Sequence, residues 1–379
     1  MVGPFGFHPN KTMRSRALGL ARPLSAQGHT VQIFMPPWHT PAKADRTWQE
    51  DGVTLRYVPL KGGTPGITRQ LVHELLSWQP DVVHCFKPKA YSGLVAWWLW
   101  QFQRHQFPLI LDSDDWEGWG GWNELAPYSP LRKRFFAWQE QWGMSHCHAL
   151  TVASKALQTL AWGQGIAPEK VVYLPNGAGI GERLTVDGER LTERPTILLY
   201  SRLFEFDVGR LVAVLRGVKT AVSDLKILSV GTGLYADYAE KLRQQWAEAD
   251  LLDCVEDVGW VKESTLPGLL TQADVGLYFM DDTLLNRTKC PVKLADMVML
   301  GIPVVGEAVG QVPEYVLNGQ TGLLRSPGDV AGLIQDIVSL LKDTEKRNYF
   351  AENAKQHYTN TFSWTHQAKL LTEIYTATE

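Results

Sequence analysis

Cysteine and long apolar runs are scarce in this chain of 379 residues, and each scarcity excludes a class of protein. The four cysteines form no C-x-x-C pair, which indicates free thiols in a reducing cytoplasm and not a disulfide framework. The longest apolar run, at residues 93–100, is far too short to cross a bilayer. The first residues lead straight into Gly3-Pro4, so no signal peptide is predicted.

The distribution of charge and tryptophan divides the chain into two unlike parts. Residues 1–180 hold 17 Lys and Arg against 12 Asp and Glu, whereas the remainder holds 20 against 28. Twelve of the 15 tryptophans also lie in the first part. With 45% apolar and 20% charged residues, the chain is long enough for two globular domains with separate cores. We therefore expect a basic, aromatic-rich domain and an acidic domain with different partners.

The segment at residues 290–305 is the most informative part of the chain. Pro291 suits the first position of a helix, and Gly301 suits the left-handed residue that ends one. The amides near Val292 and the helix dipole then form an anion site at the helix N-terminus. Lys293 suits a diphosphate beside those amides, and Asp296 suits paired sugar hydroxyls one turn further on. The segment therefore predicts a nucleotide-sugar site.

The same segment resembles the C-domain signature of retaining GT-B glycosyltransferases of family four. Members carry K-L-x-E-Y-M-A-x-G-x-P-V-V followed by G-x-P-E and N-G-x-T-G-x-L, and this chain has K-L-A-D-M-V-M-L-G-I-P-V-V at residues 293–305. Ordered matches span nearly the whole chain, which makes the resemblance specific. They lie at Thr151-Val152-Ala153-Ser154, Leu174-Pro175-Asn176-Gly177, Val312-Pro313-Glu314, Asn318-Gly319-Gln320-Thr321-Gly322 and Phe362-Ser363-Trp364.

Short apolar strands alternate with helical stretches in both halves, which predicts an α/β fold with doubly wound parallel sheets. The resemblance implies the GT-B arrangement, with two Rossmann-like domains facing a cleft and a C-terminal helix that crosses back to the N-domain. We expect an acceptor-side domain at residues 1–178, a linker at 179–193, a nucleotide-sugar-binding domain at 194–361, and the returning helix at 362–379. Only Met1 and Val2 precede the first glycine loop, so either the first strand is very short or the true start lies upstream.

The resemblance implies that Arg202, at the end of the first C-domain strand, reaches the donor diphosphate. An ion pair of Arg202 with Glu205 or Asp207 is the alternative. Relatives have a lysine where this chain has Asp207, and Lys293 is the expected replacement for that lost cation.

The family's two motif acids, eight residues apart, correspond here to Thr288 and Asp296. Thr288 brings a hydroxyl without a charge, so the identity of the donor sugar is open. Asp296 is expected to hold the ribose, with a helix-cap or dipole role as the alternative.

Three glycine-containing loops are expected near the nucleotide. Gly231-Thr232-Gly233 follows a strand, where glycine lets the backbone approach a ligand. The loop Gly259-Trp260-Val261 matches the place where relatives bind the base through backbone groups, with core packing as the alternative for Trp260. The loop around Gly6 departs from G-x-G-x-x-G, and in similar enzymes it lies under the donor phosphates and the acceptor.

Polar residues close two strands of the N-terminal half. Asp112-Ser113-Asp114 has the Asp-x-Asp pattern of a Mn²⁺ site, but that site belongs to a single-domain plan. In relatives a histidine near this position contacts the donor sugar, so the resemblance implies that polar, catalytic role for Asp114, with a loop-capping carboxylate as the alternative. His84 is a second catalytic candidate, or else an ordinary partly buried histidine. Arg14 and Arg16 are expected to be solvated or to face the acceptor.

Leu131, Phe135, Trp138 and Trp142 fall on one helical stripe beside three consecutive basic residues at 132–134. Such a helix is typical of a membrane interface. The alternative is an ordinary helix whose apolar face packs on the core and whose basic face is exposed.

The function predicted from these features is transfer of a sugar from a nucleotide diphosphate sugar, with UDP favoured and GDP the alternative, to an acceptor hydroxyl with retention. The acceptor is a membrane lipid, a glycan or a small molecule, and association with the inner face of an anionic membrane is the expectation to test. No metal, other cofactor or nucleic-acid partner is expected. A nucleotide-sugar 2-epimerase and a binding protein that has lost catalysis are the alternatives.

Overall fold

The structure is a computed structural model that describes residues 1–8, 11–180, 194–231 and 236–378, without the side chains of residues 236–239. It divides into two compact units. Unit 1 comprises Met1–Gly177, Thr288–Cys290 and Trp364–Glu379, and unit 2 comprises Ala178–Arg287 and Pro291–Ser363. The predicted linker lies mostly at residues 181–193, outside the described residues, and so do Thr232 and Gly233.

Unit 1 contains a largely parallel sheet in two segments, of order β1-β3-β2 and β4-β5-β6-β7. Val2 pairs in parallel with both Phe34 and Cys85, so a two-sided bridge at one residue connects the segments where a first strand is expected. β2 pairs antiparallel with β3 and forms an edge. The strands are β1 (Gln32–Met35), β2 (Arg46–Glu50), β3 (Val53–Tyr57), β4 (Val83–Phe86), β5 (Leu109–Ser113), β6 (Ala149–Val152) and β7 (Val171–Tyr173).

Helices follow most strands of unit 1, because parallel strands need crossover connections. A π-helical turn, Met13–Ala17, leads into the first α-helix, and 3₁₀ turns lie at Pro41–Lys43 and Pro168–Lys170. Ser129 and Ser154 cap α5 and α6 by accepting from main-chain amides. The helices are α1 (Leu18–Ala26), α2 (Gly63–Ser77), α3 (Ala90–Gln103), α4 (Trp122–Leu125), α5 (Pro130–Ser145) and α6 (Lys155–Gly163).

Unit 2 contains a six-stranded, all-parallel sheet of order β10-β9-β8-β11-β12-β13. The interior strands β8 and β12 are buried along their whole length, as expected for strands of a parallel sheet that is covered on both faces. The strands are β8 (Thr196–Tyr200), β9 (Lys226–Val230), β10 (Val255–Gly259), β11 (Val275–Tyr278), β12 (Val304–Glu307) and β13 (Gly322–Arg325).

Eight helices are described in unit 2 or at its boundary. They are α7 (Val208–Ala221), α8 (Ala236–Glu248), α9 (Leu266–Leu270), α10 (Leu284–Thr288), α11 (Val292–Met299), α12 (Val312–Tyr315), α13 (Val330–Lys342) and α14 (Thr344–Thr361). Within the described ranges, no helix is both long and apolar enough to cross a membrane.

The last helix, α15 (Trp364–Thr378), belongs to unit 1, as predicted for the returning C-terminal helix. It packs along α1. A Cβ added to Gly19 would lie 2.6 Å from the indole of Trp364, so glycine at this position allows close approach of the two helices. The α/β class and the two Rossmann-like sheets are therefore confirmed.

Candidate active site

Gly231 lies at the carboxyl end of β9 and meets a lysine from another element. Its φ is +78°, which favours glycine, and its N–H donates to the carbonyl of Gly259 at 2.7 Å. A Cβ at Gly231 would lie 2.7 Å from Nζ of Lys293. The missing side chain therefore makes the room that the lysine ammonium occupies.

Tyr200, the last residue of β8, packs its ring against that lysine. Nζ of Lys293 lies 4.4 Å from the centre of the Tyr200 ring, within cation–π range. The Tyr200 hydroxyl donates to Oδ2 of Asp296 at 3.2 Å. The ends of β8 and β9 and the first turn of α11 thus place a cation at the edge of the sheet where ligands of such folds bind.

Arg202 follows β8 and stays partly exposed. Its Nη2 lies 3.6 Å from Oε1 of Glu205, and its guanidinium stacks over Phe204 at 4.9 Å. Leu203, between Arg202 and Phe204, has a left-handed φ of +63°. The pair with Glu205, the alternative from the sequence, is therefore present. A long, partly exposed ion pair holds its partners weakly, so the guanidinium is available to an anion.

Asp207, in the place where relatives have a lysine, has a helix-capping role. Its Oδ1 accepts from the amide of Gly209 at 3.0 Å at the start of α7. The Asp207 carboxylate is therefore engaged at the N-terminus of α7.

The helix α11 begins one residue later than predicted, with Pro291 at the N-cap. The amides of Leu294 and Ala295 both donate to the carbonyl of Pro291 at 3.1 Å. The amides of Val292 and Lys293 precede these bonds and are the helix-terminal donors that suit an anion. Gly301, with φ of +70°, ends the helix as predicted.

Asp296 is 2% exposed and its carboxylate is already engaged. Its Oδ1 accepts from the amides of Gly179 and Ile180 at 2.6 and 3.1 Å. Burial raises the pKa of Asp296 to about 6. The Asp296 carboxylate therefore anchors the start of the predicted linker through the amides of Gly179 and Ile180. Its contact with the ribose stays a prediction.

The other residues expected near the donor differ in how far they are exposed to solvent. Trp260 is 54% exposed, so the core-packing alternative for it is wrong, and Val261 beside it is partly buried. Thr288 belongs to unit 1 and is fully buried, where its carbonyl accepts from Oγ of Ser154 at 2.8 Å. The structure therefore does not place the Thr288 side chain at an open donor surface.

In unit 1, the expectation that Arg16 is solvated is wrong. Arg16 is 1% exposed and forms a two-pronged ion pair with Asp112 at 2.7 and 2.6 Å. Asn176 accepts a further bond from Arg16 at 2.9 Å, and Thr151 donates to Asp112 at 2.6 Å. The guanidinium holds the pKa of Asp112 below its usual value, so this carboxylate is a charged structural anchor.

Asp114 is 6% exposed and pairs with a lysine that the sequence did not single out. Nζ of Lys87 lies 2.9 Å from Oδ1 of Asp114, 3.1 Å from Asp115 and 3.2 Å from Glu117. Burial, followed by the neighbouring carboxylates, raises the pKa of Asp114 to about 6 despite the lysine. A carboxyl that titrates near neutral pH at the end of β5 is suited to bind or orient a hydroxyl.

His84 is enclosed in the core, and its proposed contact with the sugar is corrected. The side chain is 1% exposed, stacks on Phe86 at 4.5 Å and shares a hydrogen bond of 2.8 Å with the Tyr375 hydroxyl. Burial lowers the pKa of His84 to about 3, so the imidazole is neutral. The ordinary buried histidine was the correct alternative.

The loop around Gly6 is tight against the third strand. A Cβ at Gly6 would lie 2.9 Å from the hydroxyl of Tyr57, and that hydroxyl accepts from the amide of Phe7 at 2.9 Å. Glycine is required here for close packing within unit 1.

The apolar stripe of α5 faces outward. Leu131, Phe135 and Trp138 are 78%, 38% and 43% exposed, whereas Ala137 and Met144 face the core. Trp142, the fourth residue of the stripe, is partly buried. The alternative of a core-facing stripe is therefore wrong for Leu131, Phe135 and Trp138. Arg132 and Arg134 beside the stripe are also exposed.

The carboxylates of the Asp-x-Asp pattern are each matched by a buried cation of the same unit. Asp112 pairs with Arg16, and Asp114 pairs with Lys87. Among the described residues, no cluster of three or more His, Cys, Asp or Glu side chains is arranged to hold a metal ion.

Family models match both halves of the chain. Residues 11–177 match the glycosyl transferase 4-like domain, and residues 194–343 match the glycosyl transferases group 1 domain. The chain belongs to the group 1 glycosyltransferases. The resemblance drawn from residues 290–324 is thereby confirmed, and the general activity class is glycosyl transfer.

Named relatives of this glycosyltransferase cover most of its length. A glycogen synthase of Mycobacterium tuberculosis is 27% identical over 79% of this chain and 70% of its own. A phosphatidyl-myo-inositol mannosyltransferase of Mycobacterium leprae is 22% identical over 99% of this chain and 95% of its own.

Solved structures share the fold of this glycosyltransferase. The Anabaena protein HepE in complex with UDP-glucose aligns with a TM-score of 0.73 at 17% identity, over 99% of this chain and 98% of that chain. Sucrose-phosphate synthase of Thermosynechococcus elongatus aligns with a TM-score of 0.71 at 18% identity, over 99% and 98%. At these identities the likeness shows the fold.

Sequence reasoning missed Lys87, Gln139 and Glu140. Lys87 directly follows a strand, a position that favours a functional side chain. Its partners Asp115 and Glu117 lie 28 and 30 residues further along the chain, so no local pattern shows the pairing. Gln139 and Glu140 lie on the inner face of α5, and they were hidden by the stronger apolar stripe on its outer face.

Proposed function

We propose that this glycosyltransferase moves a sugar from a nucleotide diphosphate sugar to an acceptor hydroxyl with retention at the anomeric carbon. The observation that carries the proposal is the ammonium of Lys293 lodged against Gly231 at the carboxyl edge of the unit 2 sheet. A UDP-sugar is favoured over a GDP-sugar, and the fold shared with HepE, which was solved with UDP-glucose, supports that preference.

The donor side acts by stabilising the leaving diphosphate. Lys293, Arg202 and the first amides of α11 face the charge that develops on the departing phosphate oxygen. The bond from the anomeric carbon to that oxygen breaks, and a bond from the same carbon to the acceptor oxygen forms on the same face. The departing oxygen takes the acceptor proton, so the diphosphate leaves protonated and no protein base is required. Asp114 contacts a hydroxyl of the transferred sugar, the polar role expected for it from the sequence.

We further propose that transfer needs no metal. The positive groups that neutralise the diphosphate are Lys293, Arg202 and the helix amides. Asp112 and Asp114 are already paired with Arg16 and Lys87. Carboxylates that are matched in this way are poor ligands for a divalent cation, because binding would first break a buried ion pair.

The acceptor is proposed to be presented at an anionic membrane surface. The outward stripe of α5 carries large apolar side chains beside the basic residues 132–134, which is the pattern of an interfacial helix. Each basic residue near such a surface contributes on the order of 1 kcal/mol, and salt screens that contribution.

A donor panel followed by product analysis tests the proposal. Thermal shift with UDP- and GDP-sugars identifies the donor, because a ligand that binds the native state raises its melting temperature. Nuclear magnetic resonance of the product then gives the anomeric configuration. A product with the anomeric configuration of the donor supports retention. Inversion contradicts it, and a free epimer formed without acceptor indicates the epimerase alternative.

A further inference from the structure

The turn between β4 and α3 holds its backbone in an unusual conformation. Lys87 and Ala90 have left-handed φ values of +50° and +51°, although neither is glycine. Strain of this kind persists only where surrounding contacts determine it, and it concentrates at functional sites. The turn must therefore be held from outside.

The inner face of α5 supplies that support. The Gln139 side chain accepts from the amide of Ala90 at 2.8 Å and donates to its carbonyl at 3.1 Å. Gly143, one turn further on, lies so close to Pro88 that a Cβ would be 2.7 Å from the proline Cβ. From the other side, the Lys87 amide donates to the carbonyl of Asp112 at 2.8 Å. The turn is thus fixed to both α5 and β5.

The fixed turn directs Lys87 into a group of buried carboxylates. Its ammonium contacts Asp114, Asp115 and Glu117, and neighbouring Lys89 contacts only Glu117 among them, at 2.6 Å. Glu140 receives a hydrogen bond from Ser113 at 2.8 Å, and burial followed by Glu117 raises its pKa to about 8. With Glu140 protonated, three carboxylates face two lysines.

We propose that Lys87 is the positioning residue for Asp114, held by the Gln139 clamp so that it sets both the direction and the ionisation of that carboxylate during transfer. The inference rests on the proposed role of Asp114 toward the transferred sugar. The charged groups that face Asp114 are Lys87 from the turn, Asp115 from its own loop, Asp112 from β5 and Arg16 from the helix before β1. Of these, Lys87 alone bonds it and lowers its pKa by direct contact.

The test is the pH profile of UDP release from UDP-glucose by wild type, Lys87→Met, Lys87→Arg and Lys89→Met. Loss of a cation 2.9 Å from Asp114 should move the acidic limb of kcat upward by about one pH unit or more and lower kcat about tenfold, with KM for UDP-glucose within about twofold. Lys87→Arg should return the acidic limb of kcat most of the way to its wild-type position. Lys89→Met, which removes the neighbouring lysine without touching Asp114, should keep the wild-type limb.

Two further variants separate positioning from a merely structural role. In an Asp114→Asn background, Lys87→Met should cause no further change in kcat, because both act through one carboxylate. Gln139→Leu should also lower kcat, as Lys87→Met does, because it releases the turn although the Lys87 ammonium remains.

The outcomes distinguish this inference from the proposed function. If wild type releases neither UDP from a panel of UDP-sugars nor GDP from a panel of GDP-sugars, the proposed function fails and the positioning role falls with it. If wild type is active and Lys87→Met shows the wild-type acidic limb, the positioning role is overturned and the proposed function stands. A lower melting temperature with an unmoved limb also overturns it, because that result describes a structural ion pair.

Discussion

Glu140 illustrates how burial decides the ionisation of a single residue in unit 1. The side chain is fully buried, and burial followed by the charge of Glu117 raises its pKa to about 8. The folded protein therefore keeps this proton up to about pH 8, whereas the unfolded chain loses it near pH 4.3. Because the folded state binds the proton more tightly, stability falls as pH rises through this window.

Glu140→Gln should remove that pH dependence. The amide keeps an oxygen for the Ser113 hydroxyl and cannot ionise. Relative to wild type, the variant should gain on the order of 1 kcal/mol of unfolding free energy per pH unit up to about pH 8, and then level off. Chemical denaturation at a series of pH values measures the difference. Glu169→Gln, at an exposed glutamate of the same unit, is the control for the change in charge. A constant offset from pH 5 to pH 9 would show that Glu140 is ionised in the fold.

At the residue scale, local signals were predicted well and long-range partners were not. Gly301 ends its helix as expected, because a left-handed cap is decided by neighbouring residues. Arg16 and Asp112 are 96 residues apart, so no local pattern shows that they pair. Asp296 was expected at a ligand, and its carboxylate accepts from amides 116 and 117 residues away, which no local pattern shows either. Burial and long-range contact decide both arrangements.

At the element scale, α5 shows that periodicity gives a stripe but not the side it faces. Leu131, Phe135 and Trp138 lie on one stripe, and a folded core ordinarily covers such residues. Here the small residues Ala137 and Gly143 are buried, and Gly143 lets the helix lie close to Pro88 and Leu111. The large side chains remain outside, which is the observation that favours a membrane interface.

Removing the large side chains of α5 should release the protein from anionic vesicles without unfolding it. Phe135→Ser with Trp138→Ser, and separately the exchange of residues 132–134 for Gln, should each reduce co-sedimentation with phosphatidylglycerol-containing liposomes by about tenfold or more, with a stronger salt effect on the wild-type protein than on the Gln variant. Trp162→Ser, at an equally exposed tryptophan of α6, should leave binding unchanged. Wild-type protein that ignores such vesicles at low salt would direct the acceptor proposal to a soluble sugar or small molecule.

At the scale of the whole molecule, both units match buried carboxylates with cations. Unit 1 pairs Asp112 with Arg16 and Asp114 with Lys87, and unit 2 pairs Glu307 with Arg210 at 2.9 Å. Unit 2 also places Lys293 against Gly231 at the carboxyl edge of its sheet. The α/β class and the alternating strands of both units followed from the sequence, because apolar runs and turn residues are local. The grouping of Thr288 with unit 1 depends on its contact with Ser154 and had no local signal.

Metal independence is a prediction about the whole enzyme. Sugar transfer should persist at wild-type rate, within about twofold, after treatment with excess EDTA, because lysine, arginine and helix amides stabilise the leaving group. The measurement is the initial rate of UDP release before and after chelation, with added Mg²⁺ or Mn²⁺ as the return arm. Loss of activity that Mn²⁺ restores would assign Asp112 and Asp114 to a metal site and contradict the charge pairing described here.

The central claim is that the diphosphate of the donor binds at Lys293 and Arg202 in unit 2, and titration calorimetry with UDP tests it most directly. Lys293→Ala and Arg202→Ala should each weaken UDP binding by about ten- to a hundredfold, the loss of one charged contact of roughly 1.5–3 kcal/mol. Lys226→Gln is the matched control, because this lysine lies at the opposite end of β9 and pairs with Glu256 at 2.7 Å. The account predicts wild-type affinity for the control and weak binding for the other two. Equal UDP affinity in all four proteins would contradict it and place the donor site elsewhere.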